Sequence, residues 1–155
     1  MIKKRIDKLR NQFIRYNIDG YVIPKNDEFF SEYSEIDRLK IISNFSGSAG
    51  YAIIFKKKNY LFVDGRYTLQ AKIESGKQFD IVKSEKIINC NLFKNLSLGI
   101  DPKLFTSSQI EKFFKKFNKI EKIPINLIDE IYKYSSKKTK PFFSLSDQVV
   151  GENYK

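Results

Sequence analysis

Two apolar runs, Tyr51-Ala52-Ile53-Ile54-Phe55 and Tyr60-Leu61-Phe62-Val63, flank the polar tetrapeptide Lys56-Lys57-Lys58-Asn59. Aromatic and β-branched residues dominate both runs, and a connection this short turns the second run back on the first. The pattern predicts an antiparallel hairpin. Two buried strands need neighbours and cover, so the question passes to what the rest of the chain supplies.

Upstream, Ile2, Ile6, Leu9, Phe13 and Ile14 recur at helical spacing, and Asn17 and Gly20 supply stop signals, which predicts an opening amphipathic helix. Tyr21-Val22-Ile23-Pro24 reads as a short buried strand closed by its proline, followed by a polar and aromatic loop over 25–33. A short helix over 37–42 and a turn-rich segment over 43–50 lead into the hairpin. Downstream, 66–74 reads as a helix ended by Ser75-Gly76, with Tyr67, Ala71 and Glu74 on one face and Leu69 and Ile73 nearby. Phe79 to Val82 and Leu98 to Pro102 read as strands. Ser108-Gln109-Ile110-Glu111 supplies a capping box for a helix carrying Ile110, Phe113, Phe114 and Phe117, with Lys112, Lys115, Lys116 and Lys119 on the same helix. Ile120 to Pro124 is the last strand. Strands alternating with helices, with one hairpin inside, predict an α/β sandwich around a mixed sheet.

The 155 residues suit one well-packed core. From Asn126 the character changes: Leu127, Ile128 and Ile131 form a short helix, 133–140 is polar, and 144–155 shows no structural closure. The domain proper is therefore placed at 1–132, with 133–155 a linker into an absent second domain.

An apolar fraction of 41% argues against disorder, and the apolar runs fall far short of the roughly 18 residues a membrane span needs. The N-terminus lacks the features of a secretory signal, so a cytoplasmic location is expected. The single cysteine, Cys90, cannot form an internal disulfide and reads as a partly buried small hydrophobe.

Histidine is absent, which removes the usual general base and the commonest transition-metal ligand. Neither a Ser-His-Asp triad, a Cys-His pair nor an imidazole-bearing zinc site can be built from this chain. Twenty-nine Lys and Arg against 18 Asp and Glu give a formal charge of +11. The lysines are scattered through every segment without a nucleic-acid-binding signature, so solvated surface explains them and no nucleic acid is expected as partner.

Two segments stand out chemically. Asn44-Phe45-Ser46-Gly47-Ser48-Ala49-Gly50 lacks the Gly-Lys-Ser/Thr ending of a phosphate loop and reads as a tight lead-in to a strand. In Phe62-Val63-Asp64-Gly65-Arg66-Tyr67 a strand ends at a carboxylate, a glycine and a guanidinium. Arg66 could clamp a carboxylate with two parallel hydrogen bonds, pair with Asp64, or cap a carbonyl within the domain. The acidic set Asp27, Glu28, Glu32, Glu35 and Asp37 lacks the order of a calcium loop and reads as solvated.

Four segments, in order, carry a resemblance to the N-terminal domain of the Xaa-Pro aminopeptidase branch of the creatinase/prolidase group. They are Asp27-Glu28-Phe29-Phe30-Ser31-Glu32-Tyr33, Arg38-Leu39 leading to Phe45 through Gly50, Asp64-Gly65-Arg66-Tyr67-Thr68-Leu69-Gln70-Ala71, and Asn126 through Tyr132. The resemblance implies a three-layer α/β/α domain with a mixed sheet, ribonuclease H-like in outline. It implies a parent metallopeptidase that releases the N-terminal residue from peptides with proline second, using two divalent ions, typically manganese, in an absent catalytic domain. It further implies a homodimer and proline-containing peptides as partners, with no catalytic or metal-binding residue here. The domain is expected to wall the active-site entrance and to support interdomain or subunit contacts. Its candidate contact residues are Arg66, Tyr67, Phe29, Ser46, Gly47 and Ser48. Some relatives carry histidine where Phe29 stands, and the proline-rich run common before the second domain is missing after Tyr132. Two other readings compete: a basic nucleic-acid-binding domain and a stand-alone interaction module.

Overall fold

The computed structural model describes residues 1–31, 35–87, 94–115, 118–134, 141 and 143–151. Helix α1 (Ile2–Gln12) buries Ile6 and Leu9, and the chain then passes through a left-handed Asn17 (φ 48°) into β1 (Gly20–Pro24). Helix α2 (Arg38–Ser43) is capped by the Asp37 carboxylate, which accepts from the Lys40 N–H, and it ends at a left-handed Asn44 (φ 63°). The hairpin follows as β2 (Gly50–Phe55) and β3 (Asn59–Val63), with Tyr51 opposite Phe62 and Ile53 opposite Tyr60. A 3₁₀ turn at Gly65–Tyr67 feeds α3 (Thr68–Ser75), and β4 (Asp80–Lys83) comes next. The remainder is β5 (Ser97–Ile100), α4 (Ser107–Ile110), β6 (Lys119–Lys122), α5 (Leu127–Ile131) and the short α6 (Asp147–Val150).

The six strands form one mixed sheet in the order β4-β3-β2-β1-β5-β6. β1 runs antiparallel to β2 and parallel to β5, while β3–β4 and β5–β6 are parallel pairs. Alternate residues of the central strands point to opposite faces, and both faces are buried. Tyr21, Ile23, Ala52, Ile54, Leu61 and Val63 meet α1, α2, Ala71 of α3 and Leu127 and Ile128 of α5. Val22, Ile53, Phe62, Leu98 and Ile100 meet Leu104, Phe105, Ile110 and Phe114 on the other side. Helical layers on both faces give the three-layer α/β domain, and each fully buried aliphatic side chain contributes about 2 kcal/mol.

The structure moves several local expectations. The capping box lies two residues earlier than expected: Thr106 accepts from the Gln109 N–H, and the Gln109 side chain accepts from the Thr106 N–H. Helix α4 passes into a π-helical turn over Glu111–Lys115, and Lys119 stands in β6 instead of on the helix. Leu69 and Ile73 are 70% and 73% exposed on the outer face of α3, because Ala71 takes the core-facing position. Cys90, Glu32, Lys116 and Phe117 lie outside the described residues. Among the described residues no helix is long and apolar enough to cross a membrane.

Candidate functional site

The ends of β1, β3 and β5 and the start of β2 gather at one rim of the sheet, the edge where α/β folds commonly place their ligands. The turn over 44–49 is fixed there from both sides. Phe45 is fully buried, and a Cβ built at Gly47 would lie 2.2 Å from Phe45 Cζ, so only glycine permits this approach to the ring. Ser46 donates from its backbone N–H and from Oγ to the two oxygens of the Glu74 carboxylate, both at 2.7 Å. Gln70 Nε2 donates to Ser46 Oγ and to Glu74 Oε1, each at 3.0 Å, so α3 grips the turn through residues four apart on one helix face. Partial burial pushes the Glu74 carboxyl up, but the donors from Ser46 and Gln70, with Lys40 nearby, outweigh it and hold the group below the ordinary range.

Tyr67 completes the cluster. Its hydroxyl lies 3.0 Å from Ser48 Oγ, and its ring meets Phe45 edge-on at 5.9 Å. Arg66 points outward, 79% exposed; its Nε and its N–H both donate to Asp64 Oδ1 at 2.9 Å, and its guanidinium lies 5.7 Å over the Tyr67 ring. Of the alternatives open for Arg66, pairing with Asp64 is the one realised within the domain. The hydrogen bond from Arg66 holds the Asp64 carboxyl low. Ser46, Gly47, Ser48 and Tyr67 thus form one contiguous patch with Arg66 at its margin.

Phe29 stands apart, 83% exposed on the loop after β1. That loop is a local turn in which Asp27 Oδ1 accepts from the N–H groups of Phe29 and Ser31, and Asn26 ties it to the Leu104 carbonyl at 3.0 Å. Between this loop and the turn lies a shallow cavity of about 380 Å³ lined by Lys25, Asn26, Phe30 and Ser48 through Tyr51. Lys25 is buried against Asp37, which spends that carboxylate on structure.

The acidic set is dispersed in the same way. Asp27 closes its turn, Asp37 caps α2, and Glu28 lies 4.0 Å from Arg38. Among the described residues, no group of three or more His, Cys, Asp or Glu is placed to hold a metal. Among the described residues, the hydroxyls of Ser48 and Tyr67 have each other as hydrogen-bond partner and no base to make either a nucleophile.

Two features went unread at the level of sequence. Glu74 is the anchor of the turn, signalled only by its spacing from Gln70. Arg38 forms a two-pronged pair with Asp129, Nε to Oδ1 at 2.9 Å and Nη2 to Oδ2 at 2.8 Å, which ties α2 to α5. Tyr134 donates to the same Asp129 Oδ1 at 2.9 Å, and its burial, with that bond, pushes the phenol up.

Sheet order, the two helical layers and the rim define a three-layer α/β domain with a polar rim at one end of its sheet. The chain belongs to the creatinase/prolidase N-terminal domain family, whose model matches residues 5–131. A probable Xaa-Pro aminopeptidase P from Laccaria bicolor is 34% identical over 143 residues, covering 83% of this chain and 22% of that protein. The crystal structure of X-prolyl aminopeptidase from Caenorhabditis elegans, described as a cytosolic enzyme with a di-nuclear active site, superposes with a TM-score of 0.78 at 25% identity. It covers 98% of this chain and 29% of that one. The N-terminal domain of a cytoplasmic peptidase from Mycobacterium tuberculosis shares the fold, with a TM-score of 0.62 at 18% identity, covering 83% of this chain and 98% of that one. The chain therefore spans about a quarter of the length of the full-length relatives it matches.

Proposed function

We propose that the chain is the N-terminal, non-catalytic domain of an Xaa-Pro aminopeptidase, with residues 1–132 forming the domain and 133–155 leading into a second one. The observation that carries this reading is the match of nearly the whole chain to about a quarter of an X-prolyl aminopeptidase. The parent enzyme removes the N-terminal residue from peptides with proline second. Two divalent ions, manganese in the simplest case, sit in a downstream catalytic domain and supply the activated water for attack on the peptide carbonyl.

In this reading the rim is the working surface. Arg66, with Tyr67 and the Ser46-Gly47-Ser48 turn, faces the catalytic part of the polypeptide or a second subunit and walls the active-site entrance. Phe29 is a separate apolar contact on the neighbouring loop. The parent works as a cytoplasmic homodimer.

The test compares the 155-residue chain with the full reading frame on an Xaa-Pro-Xaa peptide in the presence of manganese. Hydrolysis by the extended protein alone is the expected result. Hydrolysis by the short chain would overturn the assignment of a non-catalytic role, and inactivity of both would overturn the assignment of the parent activity.

A further inference from the structure

At the opposite end of the sheet, where β2 ends, β3 begins and β4 begins, an open cavity of about 310 Å³ is lined by Arg10, Lys57, Lys58, Asn59, Lys77, Gln78, Phe79 and Asp80. Four cations face one carboxylate in that lining. Its frame is rigid. Arg10, only 24% exposed, donates from Nε to the Phe55 carbonyl at 2.8 Å and from Nη2 to Asn59 Oδ1 at 2.9 Å. Asn59 in turn donates to the Gln78 carbonyl at 2.8 Å, so one side chain joins α1, the hairpin turn and the 3₁₀ turn over Gly76–Gln78.

The cations within that frame are not all used. Arg10 is engaged as described, with Asp7 at 3.8 Å, and Lys56 pairs with Asp19. The ammonium groups of Lys57, Lys58 and Lys77 have no hydrogen bond or ion pair among the described residues. They come from two segments about twenty residues apart that the Asn59 bridge brings together. Unspent ammonium groups converging on one concavity raise the local potential and favour an anion there. The cavity is at the small end of ligand sites, roughly 300 to 1,000 Å³, and its walls are polar where most such sites are apolar.

We propose that this cavity binds a small multiply charged oxyanion of the di- or triphosphate class, with Lys57, Lys58 and Lys77 as its ligands and Arg10 fixing the frame. The site lies the length of β3, about 15 Å, from the Ser46–Tyr67 rim, and it stands independently of the role proposed for that rim. A phosphate chain is the fitting ligand because separate ammonium groups pair with successive phosphates as point charges and need no planar, two-pronged partner.

The test is calorimetric titration of tripolyphosphate, and in a parallel arm of ATP, into the 155-residue chain at low salt. Saturable binding in both arms with similar affinity marks the phosphates as the recognised group, whereas tighter binding of ATP marks a nucleotide; either supports the site. Lys57→Ala/Lys58→Ala/Lys77→Ala should weaken binding by roughly tenfold or more. Lys86→Ala/Lys103→Ala/Lys112→Ala removes the same charge at exposed positions elsewhere and should leave affinity within about twofold. Circular dichroism of both triple variants should match the parent. Absence of saturable binding overturns the proposal, as does equal weakening by the two triples, which would assign the attraction to overall charge.

Discussion

Gly47 is the residue on which the rim depends most sharply. A methyl group there would enter the Phe45 ring at 2.2 Å from Cζ, and Phe45 is enclosed on all sides. Gly47→Ala should therefore destabilise the domain by about 1 to 3 kcal/mol, read as a lower midpoint in chemical unfolding, and an unchanged midpoint would show that the turn yields freely. The Ser46–Glu74 clasp gives a prediction in pH. Because the folded-state value of Glu74 is depressed, its stabilisation is fully present above the ordinary glutamate range and is lost as pH falls through its own lower value. Glu74→Gln should cost under about 1 kcal/mol at neutral pH, and the gap between variant and parent should close on acidification. A gap independent of pH would remove the carboxylate from the account. The sequence makes Ser46 and Tyr67 visible as candidates but cannot pair Ser46 with Glu74 or Ser48 with Tyr67, since those partners are 28 and 19 positions apart and meet only once α3 has packed beneath the turn.

Among the elements, the hairpin and the alternation of strands and helices are written in local pattern; the hairpin strands appear within one residue of their expected limits, while β5 and β6 end two residues earlier than expected and α3 begins two residues later. Two details turn on tertiary packing instead. Thr106-x-x-Gln109 and Ser108-x-x-Glu111 are both capping sequences, and the first is realised. Starting the helix at Thr106 brings Ile110 and Phe114 together onto the sheet. On α3, Ala71 and the pair Leu69 and Ile73 lie about 200° apart around the helix, so only one set can face the sheet. The small residue wins because α3 lies close over β3 and β4. The tie between α2 and α5 belongs to this scale too. Arg38 is mostly buried and its fork is matched by Asp129, so Arg38→Ala takes two donors from the Asp129 carboxylate and leaves it the Tyr134 hydroxyl. The variant should lose about 2 kcal/mol, discounted from a fully buried pair because Asp129 is one-third exposed. Arg38→Lys should recover only part of that loss, and full recovery would make the second prong of the fork unimportant.

At the scale of the molecule, one pole of the sheet carries the polar rim and the other carries the lysine-lined cavity. Within an extended enzyme, Arg66→Ala should lower peptidase activity roughly tenfold while secondary structure and metal content stay as in the parent. Unchanged kinetics would confine Arg66 to its local pairing with Asp64. Leu69 and Ile73 are exposed on α3, which begins directly after the 3₁₀ turn that carries Arg66.

The strand order also governs how the chain comes together. β1, the first strand in the sequence, sits inside the sheet, and everything that joins it arrives in two unbroken stretches: residues 50–83 build outward on one side and 97–122 on the other. A ribosome releases this spine first and then each wing in turn, so the first wing can assemble on it before the second has emerged. Each wing ends in a short outermost strand carrying lysine, Lys83 in one and Lys119 and Lys122 in the other, and these charges keep the open edges from recruiting a neighbouring nascent chain.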